Sequence, residues 1–456
     1  MQSHSKRVAG MPALALICFG QLISLLGTQL TQFAVAIWVW QVSGSATALG
    51  IIAACTYAPM VLVSPFAGSL ADRWSRKTVM LLSDLMAGLS TLLLVFLYAT
   101  EQLAIWHLGV AGLLAGTAQA FQWPAYAAAI STMVNKEQYG RANGMVSLAE
   151  GASVAIAPLL AATLLGFVGI QGIMLIDIAT FLFALLTLSI VYIPRIQHIP
   201  EKEDAPDSFW RDSVYGLRFV MRHPSLLGLL LIFLGMNLVA SLSGILLTPM
   251  VLARTGDNVQ ILGVVSSSAG LGAVVGGILM SIWGGPKSRI HGVLLGCIVS
   301  SLFMPGMLGI GNSPIVWAMA LFLGFAISPI ITGSSQAIWQ IKVAPAIQGR
   351  VFAARRMIAA LSVPIAQLAA GPLADYVFEP AMRPEGLLAP IFDGIVGTGV
   401  GAGMAVIMLL MGVLGVMIGL VGYLIPAIRN VETILPDHDY DVDSERTAVQ
   451  HANAQA

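Results

Sequence analysis

Ionisable side chains set inside long apolar runs are the residues of this chain that could do chemistry, and the chemistry open to them is proton exchange. Asp84, Glu150 and Asp177 are the acidic ones. Such a group costs roughly 2.5 to 3.5 kcal/mol to insert into a hydrocarbon slab, so each calls for a partner or a function. At 1.5 Å of rise per helical residue, Asp84 lies about 9 Å into its run, Glu150 roughly 12 Å into another, and Asp177 about 10 Å from the far end of a third. For Asp84 we expect an ion pair with Arg73, Arg76 or Lys77 in preference to contact with a ligand. Glu150 shares a helical face with Val154, Ala157 and Ala161; either it titrates as the protein works, or it only hydrogen-bonds a neighbouring helix. Asp177 either ties two helices together, the favoured reading, or joins Glu150 on a proton path. Neutral polar residues mark a candidate cavity: Gln29, Gln32, Gln119, Gln122, Asn237, Gln336 and Trp339. Each alone is better explained by a helix-to-helix hydrogen bond. Together they suit a bulky amphiphile better than a sugar or an inorganic ion.

The elements that must hold these residues are membrane spans. The 456 residues are 57% hydrophobic and only 10% charged, against about 25% charged in an ordinary soluble domain. Between Arg7 and Asp72 there is no Asp, Glu, Lys or Arg, and one span needs only ~20 residues. Two spans therefore fit, with Gly44 and Ser45 as the turn between them. Hydrophobic runs and their breaks predict an all-α integral membrane protein of twelve spans, beginning near residues 12, 49, 78, 104, 142, 171, 225, 259, 290, 314, 351 and 397. With the N-terminus in the cytoplasm, all but Arg254 and Arg383 of the 22 Lys and Arg residues fall on cytoplasmic segments or span ends. Both termini are then cytoplasmic, in a cell (inner) membrane.

Residues 194–224 divide the spans into an N-terminal half, 1–193, and a C-terminal half, 225–428. Within the divider, Asp207 and Ser208 read as a helix start, and Trp210, Val214, Leu217 and Met221 recur at helical spacing beside Arg211, Arg218 and Arg222. That pattern predicts a helix lying in the membrane interface. Residues 429–456 read as a disordered cytoplasmic tail. The halves echo each other: Pro12 and Pro224 lie 212 residues apart, Leu49-Gly50 and Leu262-Gly263 213 apart, and Gly140-Arg141 and Gly349-Arg350 209 apart. In the same frame Arg76 falls on Arg289. Recurrence in one orientation is the mark of parallel six-helix repeats around a central cavity.

Several functions have no candidate residues. No GxxxxGK[ST] loop occurs, because Gly284-Gly285-Pro286-Lys287-Ser288 has proline before the lysine. Asp437 to Asp441 begin like a calcium loop, but Val442 stands where the turn needs glycine. Cys18, Cys55 and Cys297 lie in apolar runs without metal or redox spacing. No nucleophile sits beside a base, so an enzyme is not expected. The zero formal charge gives no basis for nucleic-acid binding.

The ten residues Gly68 to Lys77, GSLADRWSRK, resemble the loop between the second and third spans of the major facilitator superfamily. Gly68, Asp72, Arg73, Arg76 and Lys77 match that pattern, while Ser75 replaces its second glycine. FQWPA from Phe121, EQYGRANG from Glu137, LIDIATF from Leu175, QGRVFAARRMIA from Gln348 and GPLAD from Gly371 are similar to the branch that includes enterobactin exporters and macrolide efflux proteins. Ala157-Pro158-Leu159-Leu160-Ala161-Ala162 is similar to the antiporter motif GPxxGG, with alanine for each glycine. The resemblance implies the twelve-helix major facilitator fold and an inner gate in which Asp72 latches to Arg355 or Arg356. It further implies export of an amphiphilic small molecule, drug-like, macrolide-like or siderophore-like, by alternating access. Coupling would be to a proton or other ion gradient, in a monomer without a cofactor or resident metal. The fourth span lacks the arginine that many proton-coupled exporters of the superfamily carry. A solute importer of the same fold is the near alternative, and a transport-inactive receptor or scaffold the further one.

Overall fold

The computed structural model describes residues 10–73, 75–135, 138–193, 207–435 and 437. The described chain is helical almost throughout. In the first half run α1 (Gly10–Ser43), α2 (Ala46–Arg73), α3 (Arg76–Ala99), α4 (Ile105–Met133) and α5 (Tyr139–Ile190), followed by the linker helix α6 (Asp207–Arg222). The second half holds α7 (Pro224–Thr255), α8 (Val259–Trp283) and α9 (Arg289–Ser301), which passes through a π-helical stretch, Leu302–Met307, into the short α10 (Leu308–Ile310). Then come α11 (Pro314–Lys342), α12 (Pro345–Pro372) with a second π-helical stretch, Leu373–Phe378, and the short α13 (Glu379–Ala381) and α14 (Ala389–Val396). The last long helix, α15 (Ala402–Leu424), leads into α16 (Pro426–Arg429) and α17 (Val431–Ile434).

Among the described residues ten helices are long and apolar enough to cross a membrane. One of the ten is most of α5, whose 52 residues are broken at Gly169, where φ is +65°. Only glycine takes that conformation without steric cost, so the chain bends there between two helical arms. α4 is 29 residues long and is not among the ten; it carries His107, Gln119 and Gln122. The breaks elsewhere follow local chemistry. Gly44 at φ +59° ends α1, and Ser75 caps α3 by accepting from the Thr78 amide at 3.1 Å. Pro224, Pro314 and Pro345 start α7, α11 and α12, where proline's missing N–H costs nothing. The expected linker helix is present with the expected start, Asp207.

Packing repeats between the halves. α2 and α3 lie against α4, as α8 and α9 lie against α11; α3 touches α5, as α9 touches α15. Between the halves, α2 packs on α12 and α5 on α8. The turns at Gly44, Gly256 and Gly397 lie on one face of the bundle, tied by Trp40 Nε1 donating to Asp257 at 3.1 Å and Arg254 donating to the Val396 carbonyl at 2.7 Å. We call this the Gly44 face; the starts of α3 and α9 mark the opposite, Arg76 face.

The C-terminal segment departs from expectation. Residues 429–435, expected as the beginning of a disordered tail, are ordered because their polar groups have partners. Glu432 accepts from the backbone amides of Arg289 at 3.2 Å and Ile290 at 3.0 Å, capping α9. Lys342 Nζ donates to the carbonyls of Glu432 and Leu435 and pairs with Asp437 at 2.5 Å. Val431 is fully buried. The tail beyond 437 lies outside the described residues.

Candidate functional site

The first half holds a cavity of about 130 Å³. Helical spacing builds its walls. Gln21, Ser24, Leu25, Thr28 and Gln32 share one face of α1; Asp84, Ala87, Gly88 and Thr91 share one face of α3. Gln119 and Gln122 enter from α4, and Asp177 and Phe181 from the second arm of α5.

At one place in the wall, three side chains close a ring. Gln122 Nε2 donates to Asp84 Oδ1 at 2.5 Å and to Gln21 Oε1 at 3.2 Å, and Gln21 Nε2 donates to Asp84 Oδ2 at 3.4 Å. Asp84 is 5% exposed. This corrects the expected ion pair: the partners of Asp84 are two amides, and Lys77 is turned instead to the carbonyls of Ser189 and Val191, each at 2.7 Å. The physical reason is reach. Seven residues, about 10 Å of helix, separate Asp84 from Lys77, whereas α1 and α4 put amides beside it.

Asp177 forms the second polar node. It accepts from Thr28 Oγ1 at 3.3 Å and Thr91 Oγ1 at 3.1 Å, so it joins α1, α3 and α5. Close approach of α1 makes this possible: a Cβ on Gly27 would meet Asp177 Oδ1 at 3.0 Å and collide with Thr180 Oγ1. Glu150 lines a neighbouring cavity with Val146, Tyr126 and Trp123. Gln21, Leu25, Gln119 and Gln122 line both cavities. A polar wall thus stands between Glu150 on one side and Asp84 and Asp177 on the other.

Of the residues expected in the cavity, Gln32, Gln119 and Gln122 line it. Gln29, one position round the helix from Thr28, is half-buried and lines neither cavity, and Asn237 is half-buried on α7. Gln336 and Trp339 serve Arg355 instead. Its guanidinium donates to Gln336 Oε1 at 3.2 Å and to Ser335 Oγ at 3.3 Å, and stacks 5.0 Å from the Trp339 ring and 5.7 Å from that of Phe233. Trp339 is 0% exposed, so it is packing beneath a cation rather than a cavity surface. Arg356, one position on, is exposed. The side chains of Asp72 and Arg73, and the surroundings of Gly68, lie outside the described part of α2, so the expected latch has only Arg76, Lys77, Arg355 and Arg356 in view. Among the described residues no group of three His, Cys, Asp or Glu is placed to hold a metal ion.

Sequence reasoning missed Gln21, Thr28 and Thr91. The signal was available on α1, where Gln21, Thr28 and Gln32 recur at seven and eleven residues, on one helical face. Thr91 stands seven residues from Asp84 for the same reason.

A polytopic helical bundle with two packing-related halves and a polar cavity inside one of them is the architecture of a membrane transporter. The Major Facilitator Superfamily model matches residues 17–367, and the chain belongs to that family. It is therefore a multi-pass membrane transporter with a small-molecule substrate. It is 25% identical over 366 residues to macrolide efflux protein A of Streptococcus pyogenes, covering 78% of this chain and 88% of that protein. To the multidrug efflux pump Tap of Mycolicibacterium fortuitum it is 24% identical over 370 residues, covering 79% and 89%. Among solved structures, a bacterial homolog of the human lysosomal transporter Spinster, inward-facing and unoccupied, superposes with TM-score 0.68 at 14% identity, over 92% of this chain and 98% of that one. A bacterial homologue of the iron transporter ferroportin, also inward-facing, gives 0.63 at 13%, over 90% and 99%. At these identities the structures share the fold.

Proposed function

We propose that this chain exports an amphiphilic small molecule in exchange for protons, by alternating access between two six-helix halves, 1–193 and 225–428. Twelve spans follow when α4 and both arms of α5 are counted with the other long helices, and the Arg76 face is then cytoplasmic, with both termini. The bias of Lys and Arg supports that orientation in the cytoplasmic membrane. The names of the efflux relatives support export and an amphiphilic, drug-like cargo.

The observation that carries the reading is the shared amide wall of Gln21 and Gln122, with Glu150 behind it and Asp84 and Asp177 before it. Carboxyl groups lining two cavities that share the Gln21 and Gln122 amides give a cargo and a proton overlapping places to bind, which is what exchange requires: one must leave as the other arrives. Glu150 and Asp177 are the proton-coupling residues of this reading. Gln32, Gln119 and Gln122 meet the cargo. Gly68, Asp72, Arg73, Arg76 and Lys77 form the inner gate with Arg355 or Arg356.

The test is proton movement by the purified protein in liposomes on addition of a panel of amphiphiles, comparing the natural chain with Glu150→Gln. We expect a cargo-dependent proton signal that falls at least tenfold in the variant. An unchanged signal moves coupling to Asp177. Absence of any signal, with cargo still moving, makes the protein a facilitator or couples it to another ion.

A further inference from the structure

The GPLAD segment of α12 and its π-helical continuation have no part in the cavity, yet Asp375 in their middle makes, among the described residues, the densest polar contact between the halves. Its carboxylate accepts from Ser45 Oγ at 2.7 Å, from the Ala46 amide at 3.1 Å and from the Thr47 amide at 2.9 Å. Those donors are the cap residue and the first two amides of α2, which have no partner inside their own helix. A carboxylate there meets both free N–H groups and the positive end of the helix dipole.

The backbone is shaped to bring it there. A Cβ on Gly371 would collide with the Thr47 backbone, and one on Gly50 with the Gln367 carbonyl, so α2 and α12 touch main chain to main chain. The stretch Leu373–Phe378 is π-helical, and the wider turn re-aims the side chains that follow Pro372. Four residues on, Glu379 accepts from the Gly401 and Met404 amides at 3.2 and 3.0 Å, capping α15 inside its own half. One carboxylate of the pair thus holds its own half together and the other reaches across. Around the crossing, Ile37 and Ala46 are buried in a cluster with Leu246, Met250 and Ala370 of the second half, and Trp40 donates to Asp257.

We propose that Asp375 is the latch of the Gly44 face: its capping of α2 holds that face shut, and the face opens only when the carboxylate leaves the helix end. This rests on the alternating-access reading above and gives that reading its outer gate. The contact is strong in donors yet confined to one side chain and one helix start, so it breaks as a unit.

The experiment measures distances between spin labels on Val42→Cys and Val400→Cys, exposed positions of the two halves near this face, with Cys55 replaced by serine, in the full-length protein in lipid nanodiscs. A control pair, Val42→Cys with Trp106→Cys, lies within one half. We expect Asp375→Ala to raise the ratio of separated to close populations about tenfold, equivalent to about 1.4 kcal/mol, with the control pair unmoved. Asp375→Asn keeps the size of the side chain but sets an NH2 against the backbone N–H groups; it should shift the ratio the same way, and it decides the matter if the alanine variant fails to fold. A folded variant with the natural ratio overturns the latch, and so does equal broadening of the control pair. If Asp375→Ala opens the face while no gradient or amphiphile moves the natural protein, the latch stands and the transport reading fails.

Discussion

At the scale of single residues, Asp84 shows how a membrane-embedded carboxylate is accommodated without a cation among its partners. Two amides on two other helices supply its donors, and one of them, Gln122, serves both the carboxylate and the second amide. Gln122→Leu removes donors from both, and an underbonded buried acceptor costs about 1 to 3 kcal/mol. Thermal unfolding in detergent should register that loss. Gln119→Leu, in the same wall without a hydrogen bond to either carboxylate, should change stability by no more than about 0.5 kcal/mol while altering cargo affinity. The sequence revealed that Asp84, Glu150 and Asp177 needed partners, but not which. Reading along one helix favours charges a turn or two away, and the true partners of Asp84 come from α1 and α4, more than thirty residues off in either direction. Arg355 teaches the same lesson, since Gln336 and Trp339 looked like cavity residues until the cation they serve was beside them.

At the scale of elements, small residues decide where helices meet. α1 reaches the second arm of α5 because Gly27 has no side chain to hold them apart. Gly27→Val would drive a branched side chain into Thr180 and Asp177; overpacking of this kind costs about 1 to 3 kcal/mol, and the expected outcome is lower thermal stability with proton coupling lost, since Thr28 would be levered off Asp177. The alanines of the antiporter-like segment have a comparable place. A Cβ on Gly263 of α8 would meet Ala162, and the Leu159 amide, just after Pro158, donates to Ser267 Oγ at 3.0 Å across the halves. That these residues were small was legible; that they form the joint with α8 needed the fold. Several helix starts were legible: those expected near 225, 259, 290 and 314 fall at Pro224, Val259, Arg289 and Pro314. Two were not: the helix expected near 351 begins at Pro345, and the last long helix, expected near 397, begins at Ala402, since Gly397, Gly399 and Gly401 take positive φ and hold the chain in a turn.

At the scale of the whole molecule, the described hydrogen bonds between the halves, Trp40 to Asp257, Ser45 to Asp375 and Leu159 to Ser267, gather on α1, the cap of α2, α5, the turn between α7 and α8, α8 and the π-helical continuation of α12, toward the Gly44 face. The proposed gate at Asp72 belongs to the other face. Asp72→Asn should therefore cut transport about tenfold or more while membrane insertion and the Gly44-face distances stay as they are; transport at the natural rate would remove Asp72 from the gate. One further feature bears on the molecule under load. Because Lys342 grips the Glu432 and Leu435 carbonyls and Asp437, and Glu432 in turn grips the start of α9, a tether pulling on the carboxyl terminus would meet this clasp before it met α15. Tension would then spread into α9 and α11 together, and the second half would yield as a block rather than being peeled away one helix at a time.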